Sequence, residues 1–348
     1  MLYKSALKAF LLSALGLIGV FIAVVYIRDP YMLFHRGWNH NNKIGHDFRV
    51  QNYGLIKYEP MDSIIIGTSM LENTSAAQAS ELLGGTFVNL SFSAATHYEK
   101  KCMLDFAFAH RDIKRVIVSM DFEFNAEKSA EGEFHDNVYI NNTFYDRFMV
   151  YMNPKMLGCI FGGVECALRT KDLDRPRAWF KHKGHARRFG GFENWMKYRK
   201  DLPKNPILTD SSIAKYKQVV DNEIVSLFEN RNVQFDLIIP PYSVLWLART
   251  PDTFDIAMTP YEYLIQRAAE YDNVTIYWFY DESYVFDIAR YKDLTHYDAD
   301  VNVHQLNAIA NQTNIINVDN YQEKFRKLRH RLDTFDSGYY LKQLYPDK

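Results

Sequence analysis

The stretch IIIGTSMLENTS, residues 64–75, decides how this chain is read. Ile64, Ile65 and Ile66 form a β-branched run without polar alternation, the pattern of a strand covered on both faces in a parallel sheet. Gly67 permits a sharp turn directly after it. Ser69, two residues on, then has two competing roles. Ser69-Met-Leu-Glu72 fits the S-x-x-E capping box, in which a hydroxyl and a carboxylate satisfy free amides at a helix start. The same position, at the carboxyl end of a strand in a doubly wound sheet, suits a nucleophile. A helix starting here would also set its positive end beside the hydroxyl, where a developing oxyanion is favoured.

Outward from this stretch the pattern repeats. DSIIIG (62–67), TFVNLS (86–91), KRVIVSMDF (114–122), FDLIIPPY (235–242) and VTIYWFY (274–280) are short β-branched or aromatic runs bounded by turn residues. Helical patterns lie between most of them, at 97–110, 211–230 and 259–271, the last opened by Thr259-Pro260 with proline at the first helical position. This alternation predicts an α/β fold, a three-layer, flavodoxin-like parallel sheet flanked by helices, over 61–348. About 110 residues separate the third and fourth runs, too many for one crossover helix, so an insertion is expected at about 130–205 over one edge of the sheet. Its later half, 169–204, carries twelve Lys/Arg against four Asp/Glu. That basic patch suits either a solvated lid or a guide for an anionic polymer or anionic lipid headgroups.

The N-terminus obeys other rules. AFLLSALGLIGVFIAVVYI, Ala9 to Ile27, is uncharged for 19 residues, just enough at about 1.5 Å per residue to cross a hydrocarbon core of about 30 Å. We expect a membrane anchor over 1–30 and an ordered connector over 31–60. The rival is a cleaved signal peptide, but the run exceeds a usual h-region and no small-x-small site follows VVYIRDP. Lys4 and Lys8 precede the run, whereas Arg28 is offset by Asp29, which favours a cytoplasmic N-terminus and an extracytoplasmic remainder. A net charge of −1 in 348 residues gives no global reason to expect nucleic acid. Three cysteines make no disulfide framework. Cys159 and Cys166 are able to pair in an oxidising compartment, leaving Cys102, or all three are buried thiols. His35, His40, His46, His182 and His185 are not spaced with carboxylates as metal ligands, and no Gly-rich phosphate loop follows a strand, so neither metal nor cofactor is expected.

A serine needs a base, and the base needs an orienting group. YKDLTHYDADVNVHQLNAIAN (291–311) supplies Asp293 and His296 three residues apart, ahead of a helix that Asp298 or Asp300 is placed to cap. Gly-Thr-Ser after the first strand and Asp-x-x-His near the end of the fold together resemble the SGNH (GDSL-like) hydrolase superfamily. Within it they resemble membrane-anchored branches of envelope O-acylation, the alginate O-acetyltransferase proteins and the D-alanyl transfer protein of teichoic acid synthesis. The likeness covers roughly 60–125 and 233–312 and leaves out the basic insertion.

The resemblance implies Ser69 as nucleophile, His296 as base and Asp293 as the orienting acid. It also implies an oxyanion hole from the Ser69 amide, a small residue after the second strand and an Asn after the third. Here NLSFSAAT (89–96) has Ser93 and Ala94 where many members carry Gly, and SMDFEFN (119–125) offers Asp121 and Asn125 without a Gly-x-Asn. IIPPYS (238–243) resembles a Pro-Pro stretch of those branches, or is simply a rigid turn that ends the strand; Tyr242 and Ser243 are candidates to line the pocket. The implied function is an extracytoplasmic O-acyl (acetyl) transferase or esterase working on a cell-envelope polysaccharide through an acyl-serine. An integral membrane O-acyltransferase is the implied partner, and a bacterial cell membrane the implied location. A non-catalytic polysaccharide-binding or scaffolding domain is the alternative.

Overall fold

The computed structural model describes residues 2–36, 43–44, 48–121, 136–161, 168–169, 186–197, 209–249 and 252–344. Asn125, Cys166, His40, His46, His182, His185 and most of the basic stretch 169–204 lie outside the described residues. The chain divides into two units, Met1–Glu59 with Phe134–Lys171, and Pro60–Glu133 with Asp172–Lys348. The expected insertion is thus split: its first part clusters with the N-terminal residues and its second part with the sheet.

In the first unit, a helix over Leu2–Arg28 is long and apolar enough to cross a membrane. It ends at Asp29, whose buried carboxylate accepts the amides of Leu33 (2.8 Å), Phe34 (2.8 Å) and His35 (3.0 Å) and the Tyr151 hydroxyl (2.7 Å). One carboxylate therefore reverses the chain after the helix and fixes it to the returning segment. Helices at Phe48–Tyr58, Asp136–Ile140, Phe144–Val150 and Pro154–Ile160 complete the unit, with a two-residue antiparallel ribbon pairing Lys43–Ile44 with Leu168–Arg169.

The second unit is built on six strands: β1 Ser63–Ile66, β2 Phe87–Asn89, β3 Arg115–Ser119, β4 Gln234–Ile239, β5 Val274–Trp278 and β6 Ile315–Ile316. Their order is β2-β1-β3-β4-β5-β6. The first five run parallel, as expected, and are mostly apolar because both faces are covered, with buried Asp236 of β4 paired to Arg115 of β3 at 2.6 Å. The sixth corrects the all-parallel expectation: β6 pairs antiparallel to β5, making a mixed sheet. Helices Ala76–Leu83 and Ala299–Asn311 pack together, and Leu71, Ala76, Ala79, Leu306 and Ile309 share a core with Ile65, Ile117, Ile238 and Tyr277 of the strands. A second packed set joins His97–His110, the helical run 210–229, Thr253–Ala268 and Tyr321–Thr334.

Two helix starts differ from expectation. No helix begins at Ser69. Residues 68–74 form successive turns, with Leu71 N on Thr68 O (3.1 Å) and Thr74 N on Leu71 O (3.0 Å), and the helix starts at Ala76. Its cap is Ser75, whose hydroxyl accepts Gln78 N at 3.2 Å. The capping-box role and the helix-dipole argument at Ser69 both fall away. The 259–271 helix instead spans Thr253–Ala268, with Pro260 inside it. An interior proline costs about 3 kcal/mol, which the buried face of Phe254, Ile256, Ala257, Tyr261, Leu264 and Ile265 offsets.

The strand order reverses between β1 and β3, which makes their carboxyl ends the topological switch point where ligands meet such sheets. Gly67 is required there: a Cβ on it would collide with Ser119 Oγ and sit 3.0 Å from Leu71 Cδ1. Gly67→Ala should therefore destabilise the fold by about 1–3 kcal/mol, measured by denaturant unfolding; a neutral result would mean that the β1–β3 end has room to relax.

Candidate active site

Ser69 and His296 are 227 residues apart in sequence, yet Ser69 Oγ lies 2.8 Å from His296 Nε2. His296 Nδ1 is 2.9 Å from both Asp293 oxygens. Burial pushes the Asp293 carboxyl up, but the charge and hydrogen bonds of His296 and the Lys292 ammonium outweigh it and hold the carboxyl well below the usual carboxylate range. An ionised carboxylate only accepts, so Nδ1 carries the proton toward Asp293 and Nε2 offers its lone pair to the Ser69 hydroxyl. The three side chains form one directed chain, O–H to ring nitrogen and ring N–H to carboxylate.

Local geometry explains why Asp293 and His296 face each other. Tyr291 and Tyr297 pair as an antiparallel bridge, and Lys292 N donates to His296 O at 3.0 Å, closing the intervening loop. Inside it, Asp293 Oδ1 accepts the amides of Thr295 (3.0 Å) and His296 (2.8 Å) and the Thr295 hydroxyl (3.2 Å). The carboxylate thus orders the loop that presents the imidazole. Asp298 caps the following helix, accepting Asp300 N (3.1 Å) and Val301 N (3.4 Å). Lys292 Nζ stands 4.0 Å from Asp293 Oδ2, and burial lowers its ammonium against the pull of Asp293.

The Ser69 turn is held from beneath. Thr68 Oγ1 donates to Asp121 Oδ1 at 2.8 Å, Lys100 Nζ approaches Asp121 Oδ2 at 3.4 Å, and Ser119 Oγ donates to the same carboxylate. His97 Nε2 lies 3.3 Å from Asp121 O, and burial with the nearby Lys100 charge lowers its imidazole well below the ordinary value. Asn89 Nδ2 donates to Leu71 O and Thr74 O, both at 2.8 Å.

Of the expected pocket residues, three turn out to be ties or packing. Asp121 is buried in the network under Thr68. Ser243 is fully buried, and both its hydroxyl (2.7 Å) and its amide (3.1 Å) donate to Leu294 O, clasping the Asp293–His296 loop to the end of β4. Tyr242 is buried edge-on against Trp246, with its amide donating to Tyr280 OH at 3.1 Å. Ser93 is exposed in the turn after β2. Leu90 N on Ile65 O (2.6 Å) and Phe92 N on Gly67 O (3.0 Å) extend the β1–β2 pairing as far as Gly67, so the turns that hold Ser69 and Ser93 leave neighbouring strand ends. Ala94 follows in the left-handed region at φ 53°, a conformation that favours glycine.

Sequence reasoning missed Tyr297 and Asn302. Tyr297 OH (3.2 Å) and Asn302 Nδ2 (2.8 Å) both donate to Met70 O, the carbonyl next to Ser69. The available signal was Asn302 with Gln305, polar residues among the apolar Val301, Leu306 and Ile309 of an otherwise buried helix face. It missed the 186–197 segment as well, where Trp195 Nε1 donates to Tyr291 O at 2.6 Å and Gly190 N to Ala289 O at 3.2 Å.

No family model, curated protein or solved structure matches this chain. The geometry itself makes two predictions. Ser243→Ala removes a buried hydroxyl from Leu294 O and should cost about 1 kcal/mol in urea unfolding; an unchanged midpoint would contradict the clasp. Because the Asp293 carboxyl is held below its ordinary value of about 3.9, its contribution to stability is complete above that pH and is lost as pH falls toward the folded value. The apparent Tm of Asp293→Asn should then fall less steeply than the parent's below about pH 4, and parallel curves would refute this.

Proposed function

We propose that this chain is a membrane-anchored, serine-dependent O-acyl (acetyl) transferase or esterase of the SGNH type, acting outside the cytoplasm of a bacterium on a cell-envelope polysaccharide. The observation that carries the reading is the Ser69–His296–Asp293 hydrogen-bonded chain. Its order, strand-end nucleophile first and Asp-x-x-His last, agrees with the resemblance of the sequence motifs to that superfamily. The apolar Leu2–Arg28 helix supports a single-pass anchor.

In the proposed cycle Ser69 Oγ attacks the carbonyl carbon of an acyl donor while His296 Nε2 takes its proton. Asp293 fixes the ring tautomer and stabilises the imidazolium. The resemblance assigns the oxyanion to the backbone amides of Ser69 and Ser93, which lie in turns leaving the neighbouring strands β1 and β2. The tetrahedral species collapses, breaking the bond to the leaving oxygen, which takes the proton from His296. An acceptor hydroxyl, deprotonated by the same nitrogen, then attacks acyl-Ser69 and frees the enzyme. Water as acceptor gives an esterase and a sugar hydroxyl gives a transferase. An integral membrane O-acyltransferase is the partner this reading assigns as acyl source.

Release of product from a chromogenic acetyl ester by the full chain in detergent tests the reading. Ser69→Ala and His296→Ala should each lower kcat/KM by on the order of 10³-fold or more, with unfolding midpoints unchanged. Equal rates in parent and variants, or none from folded parent, would sink it in favour of a non-catalytic polysaccharide-binding or scaffolding domain.

A further inference from the structure

Between residues 3 and 28, only Ala14, Phe21, Val24 and Val25 are buried or half-buried. Phe21, Val24 and Val25 share one helix face through i, i+3 and i+4 spacing. That face is met by the segment that returns after β3. The Phe148 ring stands edge-on to Phe21, with centroids 6.3 Å apart, and the Pro154–Ile160 helix packs on the same long helix.

Phe21 lies six residues before the end of the apolar run at Ile27, which places it about 9 Å below that end along the helix axis. The 19-residue run only just spans a hydrocarbon core. Whatever touches Phe21 therefore sits beneath the level where hydrocarbon ends, at the depth that interfacial helices reach, about 5–10 Å.

The surface of the returning segment fits that depth. Tyr145 and Met149, four residues apart on one helix face, are 68% and 43% exposed, and Phe144, Phe161 and Ile140 are exposed as well. The two charged side chains of the 144–150 helix are directed elsewhere. Arg147 Nη1 donates to Leu33 O at 2.9 Å, beyond the end of the long helix, with its guanidinium 5.5 Å from the Phe34 ring centroid. Asp146 is tied back to Thr143, which caps the 144–150 helix. Arg147 and the Phe144 ring, whose centroid is 5.0 Å from that of Phe34, thus reach the post-helix turn, while the Phe148 ring stays beside the span.

We propose that residues 140–161 form a second membrane contact, an interfacial helical wedge seated in the bilayer leaflet that the Arg28 end of the long helix enters. Its occupant is lipid: the apolar face continues the lipid-facing surface of the span itself. The anchor is then a span plus a wedge, which restricts rotation of the first unit about the helix axis.

The test uses the full chain reconstituted in phosphatidylcholine vesicles with brominated acyl chains. Tyr145→Trp and Met149→Trp each add one fluorophore to the five native tryptophans, and Leu17→Trp marks the span. Emission above the parent level in the Tyr145→Trp and Met149→Trp proteins should be blue-shifted, lose most of its intensity to the brominated chains and resist aqueous iodide, as for Leu17→Trp. Iodide quenching of these two variants while Leu17→Trp is quenched by bromine would overturn the wedge and leave that face to a protein partner. Absence of bromine quenching in all three variants would overturn both wedge and span. Neither result bears on the Ser69 chemistry, which the ester assay reads separately.

Discussion

The site depends on one backbone carbonyl. Met70 O, next to Ser69, accepts from Tyr297 OH, next to His296, and from Asn302 Nδ2 in the first turn of the helix that follows. These two bonds join the β1 loop to the 299–311 helix and to the loop before it, and both are buried, so breaking them would strand polar groups away from water. Given this join, the Ser69 and His296 side chains need little further freedom to meet. An alcohol and an imidazole held at 2.8 Å by the surrounding fold have already lost the orientational entropy that a reaction would otherwise have to supply.

A second layer keeps the serine turn from moving. Thr68, Ser119, Lys100 and Asp121 form a buried polar network, and a buried ion pair of this kind gains little net stability once desolvation is counted. Its value here is geometric. The Asp121 carboxylate fixes Thr68 through a hydroxyl, Ser119 Oγ fills the space that Gly67 leaves open, and Ser69 is left at the rim. On the other side, Ser243 and Tyr291 fasten the Asp293 loop to the end of β4, Tyr291 through its hydroxyl on Pro241 O at 2.9 Å.

Much of this was legible in the sequence where local pattern and tertiary environment agree. The five parallel strands are rich in apolar residues because both faces are buried, and the His97–His110 helix opens with Thr96 and Glu99 in a reciprocal capping box. Asp293 and His296 were legible because their contact is local, closed by a tight loop. Ser69 was ambiguous because its S-x-x-E spacing copies a cap that Ser75 in fact provides. The two-residue strand β6 has too few residues for a pattern, and the helix start at Thr253 was hidden behind a proline that usually marks a first turn. Tyr297, Asn302 and Ser243 were illegible as ties because their partners are backbone carbonyls far away in the chain, which no spacing rule reaches.

Covalent labelling reads the reactivity of Ser69 itself. Treatment of the folded chain with a fluorophosphonate, followed by peptide mass analysis, should place a single adduct on Ser69 and lose it in His296→Ala. Labelling of other serines at a similar rate, or none at Ser69 in protein that unfolds cooperatively, would contradict an activated nucleophile and leave the aligned side chains as a structural hydrogen-bond chain.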